Sequence, residues 1–356
     1  MHRYERLTEI NDQLNNRYVA ENEFKDVVTY PKLVTLTTTL QCNYRCWMCY
    51  QKVFKGEMDW RIVERLEHVL PFVKSLQIFG GEPLVYSRLN DLCKLAGDNF
   101  CELELITNGS LLDEKRRKML LDNNARLIKI SMEASTQETY HSIRGGDLKQ
   151  ILNNIKALAK ERDARGLKHP DIQTNFVAMR RNIEELPDFI RLAAEAGVDK
   201  VLVIFMNAQD REDLALESLY LFQELSDTYM DKALAAGIKH GIDVSVPGFF
   251  DENRNFVNAK EPEHTCHSPW KNCLIDMQGN VRICCGKTPG LGNLLKTPFD
   301  ELWFGETVTP YRKRVNTTDQ PLECRTCRVK ARNIKDVSFH IRDKELAKRL
   351  LGKNSE

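Results

Sequence analysis

The 356-residue chain has no apolar run near the roughly eighteen residues that a membrane-spanning helix needs. Val201–Met206, at six residues, is among its longest. The first residues include Arg3, Glu5, Arg6 and Glu9 and lack the apolar segment of a secretory signal. These absences predict a cytoplasmic protein with no membrane partner. Charge of one sign is not in surplus either: 52 Lys and Arg face 51 Asp and Glu, for a net +1. Neutralising phosphates takes a clear cationic excess, so no nucleic-acid partner is expected. Internal repeats at a fixed period and low-complexity tracts are also missing. What remains, at 42% hydrophobic and 29% charged residues, is a globular chain long enough for one large domain or two ordinary ones.

Eleven cysteines are the unusual feature. An odd count without an export signal argues against a disulfide framework and for metal binding or catalysis. Cys42, Cys46 and Cys49 cluster near the start, and Cys266, Cys273, Cys284, Cys285, Cys324 and Cys327 fall in the last quarter. Cys93 and Cys101 lie between and read as small buried hydrophobes.

Residues 1–30 are polar and read as a helical extension. After them, runs at Leu33–Thr39, Ser75–Phe79, Glu102–Ile106, Leu127–Ser131, Asp171–Ala178 and Lys200–Met206 read as six strands. Helical stretches separate them, including Asp59–Val73 with Asp59 as N-cap and a long one reaching about Ala236. Strand–helix units in succession imply parallel strands with right-handed crossovers, hence an α/β barrel or open sheet over residues 31–240. Residues 241–356 are richer in Gly, Pro and Cys, with apolar runs too short for a core of their own. They predict a small second domain held by metal, with a helix at Asp336–Leu351.

The first strand runs into Cys42-Asn-Tyr-Arg-Cys46-Trp-Met-Cys49. Three thiolates at these spacings suit three corners of a [4Fe–4S] cluster, whose usual site has four cysteines, and leave one iron open. A zinc knuckle or three buried thiols are the alternatives from spacing alone. CxxxCxxC after a first strand resembles the signature of the radical S-adenosylmethionine (radical SAM) superfamily, in which the open iron chelates the amino and carboxylate groups of SAM. The resemblance covers roughly residues 33–240 and implies a partial (β/α)6 barrel.

Several positions acquire expected roles from that resemblance. Tyr44 and Met48, inside the cysteine loop, fall among its cofactor-binding positions. Gly80-Gly81-Glu82-Pro83 looks like the family's GGEP segment, with glycines for close backbone approach to the ligand and Glu82 to accept from the methionyl ammonium. Thr107 and Asn108 end the third strand. Ser131 and Glu133 end the fourth, where the family places polar contacts to ribose or carboxylate, although Met-Glu-Ala-Ser stands where many relatives have Asp-Gly. Arg144 resembles the arginine that pairs with the SAM carboxylate, a role that suits a planar fork; a surface salt bridge is its alternative. Asn175, Met206 and Asn207 are candidates for the sugar and adenine. All of these lie at or just past the C-terminal ends of predicted strands, the face on which parallel barrels build active sites.

Cys266, Gly279-x4-Cys284 and Cys324-Arg-Thr-Cys327 resemble the auxiliary-cluster domain of many radical SAM enzymes, in the half-size "twitch" form rather than full SPASM, since no cysteine follows Cys327. The resemblance implies that Cys266, Cys284, Cys324 and Cys327 hold a second [4Fe–4S] cluster; a structural zinc is the alternative. Cys273 and Cys285 are left over, as an alternative ligand or as free thiols. A thiol is a good donor of a hydrogen atom to a substrate radical, so both are candidate catalytic residues.

The implied chemistry is reductive cleavage of SAM to a 5′-deoxyadenosyl radical that abstracts a hydrogen atom, with a reductant such as flavodoxin or ferredoxin as partner. Only about forty residues precede Cys42, without the strand-rich peptide-recognition pattern of many peptide-modifying relatives. A small polar substrate of sugar, aminocyclitol or nucleoside type, epimerised or dehydrogenated, is therefore expected. A peptide maturase is the second reading and a non-catalytic iron–sulfur electron carrier the third. His264, His267 and Tyr30 are candidate acids or bases, against surface or packing roles.

Overall fold

Alternation along the strands decides the architecture. The structure, a computed structural model, describes residues 3–21, 29–251, 266–286, 288–325, 327 and 334–353. Six strands, β1 (Leu33–Thr39), β2 (Ser75–Gly80), β3 (Glu102–Thr107), β4 (Ala125–Ser131), β5 (Asp171–Ala178) and β6 (Lys200–Phe205), pair in sequence order, each parallel to the next. A seventh, β7 (Asp243–Ser245), adds parallel to β6. At the other edge β8 (Asn272–Ile275) pairs parallel with β1, and β9 (Asn280–Arg282) and β10 (Gly292–Asn293) follow antiparallel. One open sheet results, ordered β10-β9-β8-β1-β2-β3-β4-β5-β6-β7. It is the expected partial barrel, with its sheet continuing past residue 240 at both edges. The short apolar run of β8 lacks a core of its own and completes that of β1.

Crossovers of one hand put the helices on one face of the sheet. The residues facing them, including Leu36, Leu76, Ile78, Leu103, Leu105, Ile128 and Ile130, are at most 1% exposed and pack on Leu92, Ile151, Phe189 and Met230 of the helices. Truncating one of these to alanine costs about 2–5 kcal/mol. Residues between them in sequence, such as Gln77, Glu104, Lys129 and Asn175, point to the inner face and are only partly buried. Helix starts follow the sequence: Asp59, Asp113, Thr136 and Asp147 each accept a backbone N–H of the first turn. The helix expected over Asp59–Val73 keeps its cap but ends at Glu64; turns and a 3₁₀ segment at Leu70–Phe72 follow, and Pro71 has no N–H to continue an α-helix.

Past the second cysteine group the chain returns to the barrel. The helix expected at Asp336–Leu351 is two, Val337–His340 and Lys344–Lys353, because Asp343 accepts from the N–H groups of Glu345 and Leu346 and restarts the helix. The segment docks beyond β6: Ala208 N–H donates to His340 C=O at 2.8 Å and Arg342 N–H to Gln209 C=O at 3.0 Å. Ile341, Leu346 and Leu350 join Ile143, Met206 and Leu214 in a second apolar cluster, against which Trp47 and Met48 pack. His340 is fully buried among Phe205, Tyr220, Phe250 and Phe339, with Nε2 2.7 Å from Ile334 C=O. Burial pushes its imidazole down to about 4. Among the described residues no helix is long and apolar enough to cross a membrane.

Candidate active site

The loop after β1 leaves the sheet and returns to it, with Leu40 N–H on Gly56 C=O and Met58 N–H on Thr38 C=O. It carries Cys42, Cys46 and Cys49, all half-buried. Each sulfur meets an N–H donor: Tyr44 N at 3.4 Å from Cys42 Sγ, Gln51 N at 3.4 Å from Cys49 Sγ, and Arg144 Nη1 at 3.7 Å from Cys46 Sγ. Burial pushes the Cys42 and Cys46 thiols up, and the Arg144 charge pulls Cys46 back towards thiolate.

Gly80 and Gly81 close the end of β2 against this loop. A Cβ at Gly80 would lie 2.1 Å from the Thr39 carbonyl oxygen, and one at Gly81 2.2 Å from that of Gln41. The glycines admit the backbone feeding the cysteine loop, a packing cause that the motif alone did not disclose. Glu82, fully buried, gathers three donors: Thr107 Oγ1 (2.7 Å) and Leu84 N (3.0 Å) on Oε1, and Asn108 N (2.7 Å) on Oε2. Burial pushes its carboxyl up, and these bonds oppose the rise. Asn108 Nδ2 in turn donates to Asn43 Oδ1, whose Nδ2 donates to Ser110 Oγ, both at 2.9 Å. Asn43 and Ser110 carry no motif of their own and emerge only from this tertiary network.

Glu133 and Arg144 hold each other. Arg144 Nε and Nη2 donate to the two Glu133 oxygens, fork to fork, in a pair whose acid is fully buried and whose base is 9% exposed. The remaining nitrogen is the one on Cys46. A surface salt bridge is thereby excluded for Arg144. Tyr44 packs on Gly146, where a Cβ would fall 2.3 Å from its hydroxyl. Ser131 lies opposite Asn175, whose Oδ1 accepts from Gln173 Nε2. Met48 and Met206 enter the second apolar cluster, and the Asn207 amide is taken by Phe339 C=O at 2.8 Å. Trp47 is clamped: the Arg181 guanidinium lies 3.8 Å over its ring, and Arg211 Nη1 donates to its carbonyl at 2.7 Å from 164 residues away.

The second cysteine group lies at the other end of β1. Asn272 of β8 stands beside Leu33, and antiparallel β9 brings Cys284 back towards that level. Seven residues of β1 at about 3.3 Å each separate the groups by roughly 20 Å along the strand. Cys266, Cys284, Cys324 and Cys327 are electrostatic neighbours; burial first, then the other three, push Cys324 up to about 11. Gly286 N–H points at Cys284 Sγ (3.3 Å), and Asn316 clamps the Cys266 peptide through both its N–H (2.8 Å) and C=O (3.0 Å). Among the described residues no three ligand side chains converge as a single metal ion requires. A cubane takes its ligands at separate corners, and all-sulfur sets with N–H groups aimed at the sulfurs fit iron–sulfur clusters.

The remaining candidates are dispersed. Cys273 lies opposite Val34 on the helix-covered face, fully buried, its thiol pushed up by that burial. This corrects its expected role: strand alternation turns it away from both the barrel interior and the four-cysteine group. Cys285 is exposed, beside Cys284 and Cys327. His267 follows Cys266, half-buried and pushed down by burial. Tyr30 precedes β1 and bonds Asp300 at 3.1 Å, which with burial raises it to about 12, far from the cysteine loop. His264 lies outside the described residues. Cys93 and Cys101 are fully buried.

Residues 36–193 match the family model described as the Radical SAM superfamily, and residues 266–328 match SPASM, described as an iron-sulfur cluster-binding domain. A tungsten-containing aldehyde ferredoxin oxidoreductase cofactor-modifying protein of Pyrococcus furiosus is 30% identical over 309 residues, covering 79% of this chain and 83% of its own. A probable GTP 3′,8-cyclase of Methanocaldococcus jannaschii is 26% identical over 301 residues, covering 78% and 91%. Among solved structures, SuiB of Streptococcus suis bound to S-adenosylmethionine aligns with a TM-score of 0.63 at 15% identity, over 88% of this chain and 75% of that one, a likeness of fold.

Proposed function

Since the chain belongs to the radical SAM superfamily and carries a SPASM iron–sulfur domain, we propose that it abstracts a hydrogen atom from a small polar molecule and epimerises or dehydrogenates it. Its cofactors are a [4Fe–4S] cluster, SAM and auxiliary iron–sulfur. The chemistry these supply when bound is one-electron cleavage of SAM and hydrogen abstraction by the 5′-deoxyadenosyl radical. Cys42, Cys46 and Cys49 would hold the first cluster, and Cys266, Cys284, Cys324 and Cys327 a single auxiliary one, as in the twitch form. Glu82 ties the ends of β2 and β3 beside the loop and keeps one oxygen with a single donor, so it can accept from an ammonium. Glu133 fixes Arg144 against Cys46, and the docked C-terminal segment shields Trp47 and Met48 from water.

The observation carrying this reading is the placement of the two cysteine groups at opposite ends of β1, with the open inner face between them. Two of the matched relatives bear names of a cofactor-modifying protein and a GTP cyclase, which supports a small molecule over a peptide. The reconstituted protein should hold about eight irons and, once reduced, cleave SAM. Replacing Cys42, Cys46 and Cys49 by alanine should leave about four irons and no cleavage. Cleavage retained in that variant overturns the assignment. In D₂O an epimerase product gains one carbon-bound deuterium, delivered by an exchangeable thiol such as Cys285, whereas a dehydrogenase product gains none.

A further inference from the structure

The inner face of this sheet departs from the rule for closed α/β barrels, whose interiors are filled with bulky branched side chains. Here Gln77, Glu104, Lys129, Gln173 and Asn175 occupy it on four successive strands, β2 to β5. Register sets the row: Gln77 is opposite Glu104, and Lys129 opposite Gln173. Gln77 Nε2 and Lys129 Nζ both donate to Glu104 Oε2 at 2.9 Å, and Gln173 Nε2 donates to Asn175 Oδ1 at 2.7 Å. The Glu104 and Lys129 side chains are 18% and 19% exposed, whereas Leu105 and Ile128, one residue along on the other face, are at most 1%. Solvent therefore reaches Glu104 and Lys129. An ion pair in contact with water contributes only about 0–1 kcal/mol, so stability does not account for five polar side chains where a core would stand.

The level of the row is equally specific. Gln77 is opposite Thr35, the third of the seven residues of β1, between the levels of the two cysteine groups. Three residues separate Gln77 from Gly80 and Glu104 from Thr107, a depth of about 10 Å below the strand ends that face the cysteine loop. A molecule bound there presents its carbons upward to that loop.

The donors and acceptors define its chemistry. Glu104 accepts both bonds on Oε2, so neither occupies Oε1, and Lys129 has two further N–H donors. An incoming anion meets the Glu104 carboxylate, and an incoming amine meets the Lys129 ammonium. A hydroxyl donates and accepts at once and satisfies both. Resting on the small-molecule reading above, we propose that Glu104 and Lys129, flanked by Gln77, Gln173 and Asn175, bind adjacent hydroxyl groups of a polyhydroxylated substrate and set which carbon faces the cysteine loop.

The test uses the reconstituted full-length enzyme, unlabelled SAM, and a metabolite extract of the source cells grown in deuterated medium. The extract is split into peptides, boronate-retained small molecules (cis-diols) and boronate flow-through, and singly deuterated 5′-deoxyadenosine is read by mass spectrometry. The label is expected from the boronate-retained fraction. Lys129→Met and Glu104→Gln should each raise the amount of that fraction needed for half-maximal labelling by about tenfold or more, the loss of one charge-assisted hydrogen bond, with Lys129→Arg recovering part of it. Iron content and melting temperature establish that the variants fold. Label from the flow-through alone, or variants indistinguishable from wild type with the retained fraction, overturns the polyol site and leaves the small-molecule reading standing. Label from peptides alone, or from no fraction, overturns that reading itself.

Discussion

Glu133 and Arg144 illustrate how one residue's role depends on the partner that folding gives it. A buried pair costs more to break than to replace, because the survivor keeps its charge without compensation. Glu133→Gln should therefore lose about 3–5 kcal/mol in urea unfolding of the iron-free protein, and the double change Glu133→Met with Arg144→Met should recover most of it. His340 makes a second prediction, on pH. Its folded pKa, about 4, lies below the ordinary 6.5 because burial disfavours the imidazolium, while the Ile334 carbonyl and the nearby Asp336 oppose that. Between those values the unfolded chain binds the extra proton, so stability rises with pH across the window. The contribution is complete above pH 6.5 and disappears as pH falls to 4, about 3 kcal/mol in all. Urea midpoints at pH 7 and 4.5 should converge in His340→Phe relative to wild type. At this scale motif spacing singled out Cys42, Cys46, Cys49, Glu82 and Arg144, which the fold gathers around one loop. Asn43, Ser110, Asn316 and the Trp47 clamp were not legible in the sequence, because their partners are assembled only by the fold.

Among elements, strands were easier to read than helices. A run such as Asp171–Ala178 is both β-branched and bounded by turns, and it appears with the expected ends. Helical periodicity over Asp59–Val73 ignored Pro71, and that over Asp336–Leu351 ignored the cap at Asp343. The break at Asp343 matters, since it lets Ile341 turn into the second apolar cluster while Lys344–Lys353 runs along the barrel edge. Ile341→Asp places a carboxylate in that cluster. Amides of Val337–His340 and Lys344–Lys353 should then exchange hydrogen orders of magnitude faster, while those of β3 and β4 keep their protection. Unchanged exchange in the C-terminal helices would show that the cluster does not hold them.

Taken as a whole, the molecule ties its two cysteine groups to one sheet. Alternation and strand–helix order predicted the parallel barrel, yet nothing local marks β8 as the neighbour of β1, because the pairing spans more than two hundred residues. Losing the auxiliary cluster should accordingly have a graded effect. In Cys324→Ala with Cys327→Ala, hydrogen exchange should rise around Leu322–Arg325, since metal binding is part of the folding free energy there. Strand β8 should stay protected, its hydrogen bonds to β1 being independent of the cluster. Loss of protection in β8 would mean that the cluster holds the edge of the barrel as well.

The β1–β8 pairing also orders events at the ribosome. Until Asn272–Ile275 emerge, β1 has a neighbour on one side only and presents an open edge of hydrogen-bonding groups. At about 5–20 residues per second that interval lasts roughly 12–50 s, during which the strand leading into Cys42 is free to pair with another nascent chain. A transcript truncated near residue 250 never closes that edge. Its product is expected to self-associate through β1, visible as high-mass species in light scattering that a peptide spanning residues 268–283 suppresses by supplying the missing strand.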